Sequence, residues 1–92
     1  MTEQDRLKML KTDLQITSTG YDERLLQYLN SAEKSIISEG AATLDNTKRD
    51  DFQLIVMYAA WAWRRRDTGE GMPRMLRWAL NNRIFSEKAR DK

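Results

Sequence analysis

Asp45, Asp50 and Asp51 are the nearest this chain comes to a cation site. Three carboxylates in so short a span suit a hard ion. An EF-hand, however, needs alternating ligands, a central glycine and a bidentate glutamate at the loop's end. That spacing is absent. Asp50 and Asp51 are adjacent and point apart on a helix, where capping and the helix dipole account for them. The chain has no histidine and no cysteine. The commonest general base, the commonest zinc ligand and the thiolate nucleophile are therefore missing. A Ser-His-Asp hydrolase, a zinc finger and a disulfide framework are excluded. No phosphate-cradling glycine loop, dinucleotide fingerprint or nucleophile with a partner base is present. The residues predict a protein that is not an enzyme and uses no metal and no cofactor.

The remaining chemistry is recognition. Arg64, Arg65 and Arg66 follow one another, and Arg74, Arg77 and Arg83 come soon after. Two readings of the arginine run stand: solvated charge at a helix C-terminus, or a contact to phosphate or to a neighbour's carboxylates. Arg74, Arg77 and Arg83 join the run if the last helix folds back. A cluster of that kind faces DNA electrostatically. A helix carrying Arg74, Arg77, Asn81 and Asn82 also keeps a helix-turn-helix reader open. Tyr58, Trp61 and Trp63 lie just upstream. Each is a core candidate by type. Positions 61 and 63 point about 200° apart on a helix, so the spacing predicts that at least one meets another chain. Tyr58, Trp61 and Arg65 share one face. With Arg64, Arg66, Arg74, Arg77 and Trp78 they are the candidate interface residues.

Four helices are expected to position these groups. The first covers 3–14, with Leu7, Leu10 and Leu14 at helical spacing. The second covers 22–38, with Leu25, Leu29, Ala32 and Ile36 on one face and Gly40 as its stop. Its start fits either a Thr19–Asp22 capping box or Asp22 as the cap itself. The third covers 48–66, entered through a possible Thr47–Asp50 box. It is apolar all round from Phe52 to Trp63 except for Gln53. Such a helix is buried all round, and three short neighbours should leave it a surplus face. Pro73 suits the first turn of a fourth helix over 73–82, with Leu76, Ala79 and Leu80 as its stripe. Ile84 and Phe85 are expected to dock, and the polar stretch 86–92 to fray. The core is expected to hold Leu25, Leu29, Ile36, Phe52, Ile55, Ala59 and Leu76.

The 92 residues suffice for one domain. A third of them are charged, and four glycines and one proline leave few breakers, which favours an all-α, four-helix bundle-like fold. The net charge of +2 is too small to argue for a nucleic-acid partner, but it is unevenly spread. Residues 1–48 carry 6 basic and 8 acidic groups, whereas 49–92 carry 10 and 6. No apolar run approaches the ~20 residues of a membrane span. The polar, acidic start does not read as a signal peptide, so no membrane partner is expected.

The order of these features resembles the small head–tail connector (adaptor, head-completion) proteins of tailed bacteriophages and prophages. The likeness spans about residues 7–84. It rests on Leu10-Lys11-Thr12-Asp13-Leu14-Gln15-Ile16, then Asp22-Glu23 leading into Leu25-Leu26 and Tyr28-Leu29. The apolar run Leu54–Trp63 ending in arginines follows, and then the Met72-Pro73 break before Leu76, Leu80 and Arg83. It implies a helical protomer of a ring beneath the portal vertex, assembled in the bacterial cytoplasm and carried in the virion. That ring extends the DNA channel and offers a docking surface for tail or stopper proteins. The implied partners are further copies of the chain, the portal protein, a tail or stopper protein, and packaged DNA without sequence preference. The arginine-heavy helix end and the short loop over 40–47 depart from the family's pattern. The alternatives are a small DNA-binding regulator or packaging accessory using Arg74 and Arg77, and a helical adaptor module that caps another protein.

Overall fold

A computed structural model describes residues 2–90, to the backbone alone at Arg90. The order is α1 (Glu3–Leu14), α2 (Asp22–Glu39), α3 (Arg49–Thr68) and α4 (Arg74–Arg90), with no strand among the described residues. The all-α expectation is met.

Local chemistry sets each boundary. Thr2 and Asp5 form a reciprocal capping box at the start of α1: the Thr2 N–H donates to Asp5 Oδ2 (2.9 Å) and the Asp5 N–H to Thr2 Oγ1 (3.2 Å). Lys11 reaches Asp22 at 2.7 Å and ties the end of α1 to the start of α2. Neither expected box at α2 or α3 forms. Tyr21 and Lys48 are the N-caps, without side-chain hydrogen bonds. Asp45 instead accepts from the Thr47 N–H (2.9 Å) and hydroxyl (2.6 Å), closing an Asx turn before α3. Gly40 ends α2 at φ +136°. The Pro73 carbonyl accepts from the Arg77 N–H (3.0 Å), which places the proline just before α4.

α3 is the centre: α1, α2 and α4 all pack on it. The seven expected core residues are buried, together with Leu7, Leu10, Leu54, Val56, Ala60 and Leu80. Removing a fully buried leucine such as Leu29 from such a core costs about 2–5 kcal/mol.

Two expectations are corrected here. Trp61 and Trp63 are both buried, at 9% and 8% exposure. They do point apart, but each has its own cover within the chain. Trp63 meets the edges of Tyr21 (5.6 Å) and Tyr28 (5.4 Å). Trp61 meets Tyr58 (5.5 Å) and donates its indole N–H to the Gly71 carbonyl (3.2 Å) in the α3–α4 loop. The three neighbours thus cover most of the apolar surface of α3, and of its large apolar side chains only Met57 stays exposed, at 36%.

The second correction concerns the C-terminus. α4 does not stop at residue 82 or fray from 86; it runs to Arg90. Glu87 is the reason. It is buried and accepts hydrogen bonds from the Thr43 N–H and hydroxyl (the latter at 2.7 Å). A buried carboxylate held in that way fixes the turns on either side of it. The expected fray at residues 91–92 lies outside the described residues.

Candidate interaction surfaces

Most of the polar groups serve the fold. Arg83 Nε lies 2.8 Å from Asp51 Oδ1, its Nη2 is 3.2 Å from Thr43 Oγ1, and its Nη1 is 3.8 Å from Glu87. The Asp45 N–H donates to Asp51 Oδ2 at 3.0 Å. The Asp51 hydrogen bond raises the Arg83 pKa above its usual value; burial opposes this and the nearby carboxylates reinforce it. Asp51 is therefore a buried link between α3, α4 and the loop before α3, not the helix cap expected. A similar link joins α1, α2 and that loop: Arg6 pairs with Glu33 (3.4 Å), which also accepts from Asn46 (3.3 Å). No cluster of three or more metal-binding side chains occurs among the described residues.

The expected arginine cluster does not assemble as one patch. Arg64 donates to the Asp13 carbonyl at 3.1 Å and fastens α3 to the end of α1. Arg65 lies over the Trp61 ring at 4.9 Å, and Arg66 over Trp63 at 3.9 Å while pairing with Asp67 at 2.9 Å. Arg77 faces Glu39 across 3.6 Å. Arg74 is exposed on α4. Tyr58, Trp61, Arg65 and Arg66 do come together, beside α2. Arg77 joins the same trough further along. Arg64, Arg74 and Trp78 lie outside it.

The unpartnered apolar surface belongs to α4. Met75, Trp78 and Phe85 are 77%, 69% and 73% exposed. With Asn82 they recur at separations of three, four and three residues, so they share one stripe. Leu76, Leu80 and Glu87 occupy the opposite, buried side. Arg74, Arg77 and Lys88 line one flank of the stripe by helical spacing. Trp78 walls a hollow of about 410 Å³ against Met57 and Gln53 of α3. Gln53 also borders a neighbouring hollow of about 550 Å³ between α1 and α3, lined by Met9 and Phe52 and by charges of both signs, Asp5 and Asp13 with Lys8 and Arg49. Phe85 does not dock as expected, whereas Ile84 does, against Gly40. The stripe was missed because its second half, Asn82 and Phe85, fell in sequence expected to lie at or beyond the helix end.

Fold and surfaces define a small all-α protein with a closed core and one exposed apolar helix face. No protein-family model matches the chain, nor does any curated protein or solved structure. Among the described residues no helix is long and apolar enough to cross a membrane.

Proposed function

We propose that this chain is a non-catalytic assembly protein of the head–tail connector kind, a ring protomer at the head–tail junction of a tailed phage. The observation that carries the reading is the exposure of Met75, Trp78 and Phe85 on one side of α4 above an otherwise closed core. Exposed aromatics with flanking arginines are the usual anchors of a protein interface. The stripe is flanked by basic groups, and the α1–α3 hollow offers the apolar Met9 and Phe52 among charges of both signs, Asp5 and Asp13 with Lys8 and Arg49. One surface fitting a different surface on the next copy makes a head-to-tail contact, and such contacts close into rings. In this reading the portal and the tail or stopper protein bind the faces of the ring. The DNA-binding alternative loses ground because Arg64, Arg66, Arg77 and Arg83 are already engaged within the chain.

Sedimentation velocity across a wide concentration range, alone and with a phage portal oligomer, tests this. The expected result is a discrete ring, or co-sedimentation with the portal, that Trp78→Ala abolishes while leaving the far-ultraviolet circular dichroism unchanged. A chain that stays monomeric and ignores the portal overturns the reading. So does a duplex-DNA complex that persists at moderate salt.

A further inference from the structure

α2 and α3 leave a trough on a different side of the molecule from the α4 stripe. One hollow of about 540 Å³ is lined by Gln27, Ser31 and Ser35 from α2 and by Tyr58, Arg65 and Arg66 from α3. No carboxylate lines it. Every polar side chain there is able to donate hydrogen bonds. The hollow continues past Ser35 into a second one of about 540 Å³, where Lys34 adds a further cation and the one carboxylate, Glu39, is paired with Arg77 at 3.6 Å. Neither Arg65 nor Lys34 forms an ion pair among the described residues.

The two arginine head groups are preset. Arg65 is stacked on Trp61 at 4.9 Å with no ion pair, and Arg66, whose Nη1 also pairs with Asp67 at 2.9 Å, on Trp63 at 3.9 Å. A stacked guanidinium keeps its N–H edges available for a planar anion, and little rotamer freedom is left to lose on binding. From Gln27 to Ser38 the α2 wall runs about 16 Å at 1.5 Å per residue. That matches about five residues of extended chain at 3.3 Å each.

We propose that this trough binds an acidic peptide segment of a partner protein in extended form. Arg65 and Lys34 take its carboxylates, Arg66, already paired with Asp67, adds positive charge to the wall, and Gln27, Ser31 and Ser35 donate to its backbone carbonyls. A single nucleic-acid strand fits less well. Its bases need open aromatic faces, and the two arginines already cover one face of each buried tryptophan.

The test is fluorescence anisotropy of labelled hexaglutamate with the whole chain at about 50 mM salt, where screening is weak. Hexalysine and hexathymidylate are the comparison probes. Saturable hexaglutamate binding is expected, weakening with salt. Arg65→Glu and Lys34→Glu should each reduce affinity about tenfold, as loss of a charge-assisted contact does. Lys48→Glu, away from the trough, should change it less than about twofold. Circular dichroism melting confirms that each variant is folded. The proposal is overturned by absent or unsaturable hexaglutamate binding, by tighter hexathymidylate binding, or by a Lys48→Glu loss equal to that of Arg65→Glu.

Discussion

Arg83 and Asp51 meet at 2.8 Å across the α3–α4 interface, their side chains only 15% and 7% exposed. Removing one partner of a buried pair leaves the other charged and unsatisfied, at a cost of about 3–5 kcal/mol. Asp51→Ala should destabilise the protein by about 3 kcal/mol in urea unfolding. Its exposed neighbour Asp50 should tolerate alanine within about 0.5 kcal/mol. Equal effects at the two positions would show that the pair does not anchor α4.

Trp61 and Trp78 should separate folding from assembly. Trp61 is buried and bonded to the Gly71 carbonyl. Its truncation should cost about 3–5 kcal/mol, the range for large buried aromatics. Trp78 is 69% exposed, so alanine there should move stability by less than about 0.5 kcal/mol. Chemical denaturation of the two variants checks the contrast. A Trp78 variant as destabilised as the Trp61 variant would place Trp78 in the core.

Those tryptophans also show what the sequence made legible. Hydrophobic periodicity located all four helices and the seven core residues, because amphipathic spacing reports which face is covered. It could not say how much of α3 is covered, since an all-round apolar helix reads the same at the centre of one chain as between two. Nor could it place the end of α4. Glu87 reads as an exposed polar residue until Thr43, 44 positions earlier, is seen to donate to it. Contacts that distant in sequence leave no local signal. Extending α4 past residue 82 is also what turns Met75, Trp78 and Phe85 from scattered residues into a stripe.

Gly40 and Gly69 both have positive φ, yet they should respond differently to alanine. At Gly40 φ is +136°, and an added Cβ would stand 3.1 Å from Ile84 Cγ2. Backbone strain and crowding then act together, and a cost of about 2–3 kcal/mol is expected. At Gly69 φ is +67° and nothing lies within 4 Å of the added atom. Only the left-handed penalty of about 1 kcal/mol remains. Thermal melts of the two variants should preserve that order, and a reversal would mean that α4 does not seat Ile84 against the end of α2.

Asp45 and Asp5 set the acid response of two helix starts. The hydroxyl and N–H of Thr47 hold the Asp45 pKa below its ordinary 3.8, and the N–H and hydroxyl of Thr2 do the same for Asp5. A carboxylate depressed in the folded state stabilises it fully above the unfolded value. That contribution disappears as pH falls through the folded value. Stability should therefore begin to fall as pH drops below about 4, as the Asx turn before α3 and the box at α1 lose their charged acceptors. An asparagine at position 45 still accepts from Thr47 through its amide oxygen but cannot be protonated in this range. Asp45→Asn should thus flatten the acid limb of the stability–pH curve while changing stability little at pH 7. Urea midpoints measured at intervals from pH 7 to 2 decide the matter. An unchanged acid limb in Asp45→Asn would show that the Thr47 contacts do not hold the charged form.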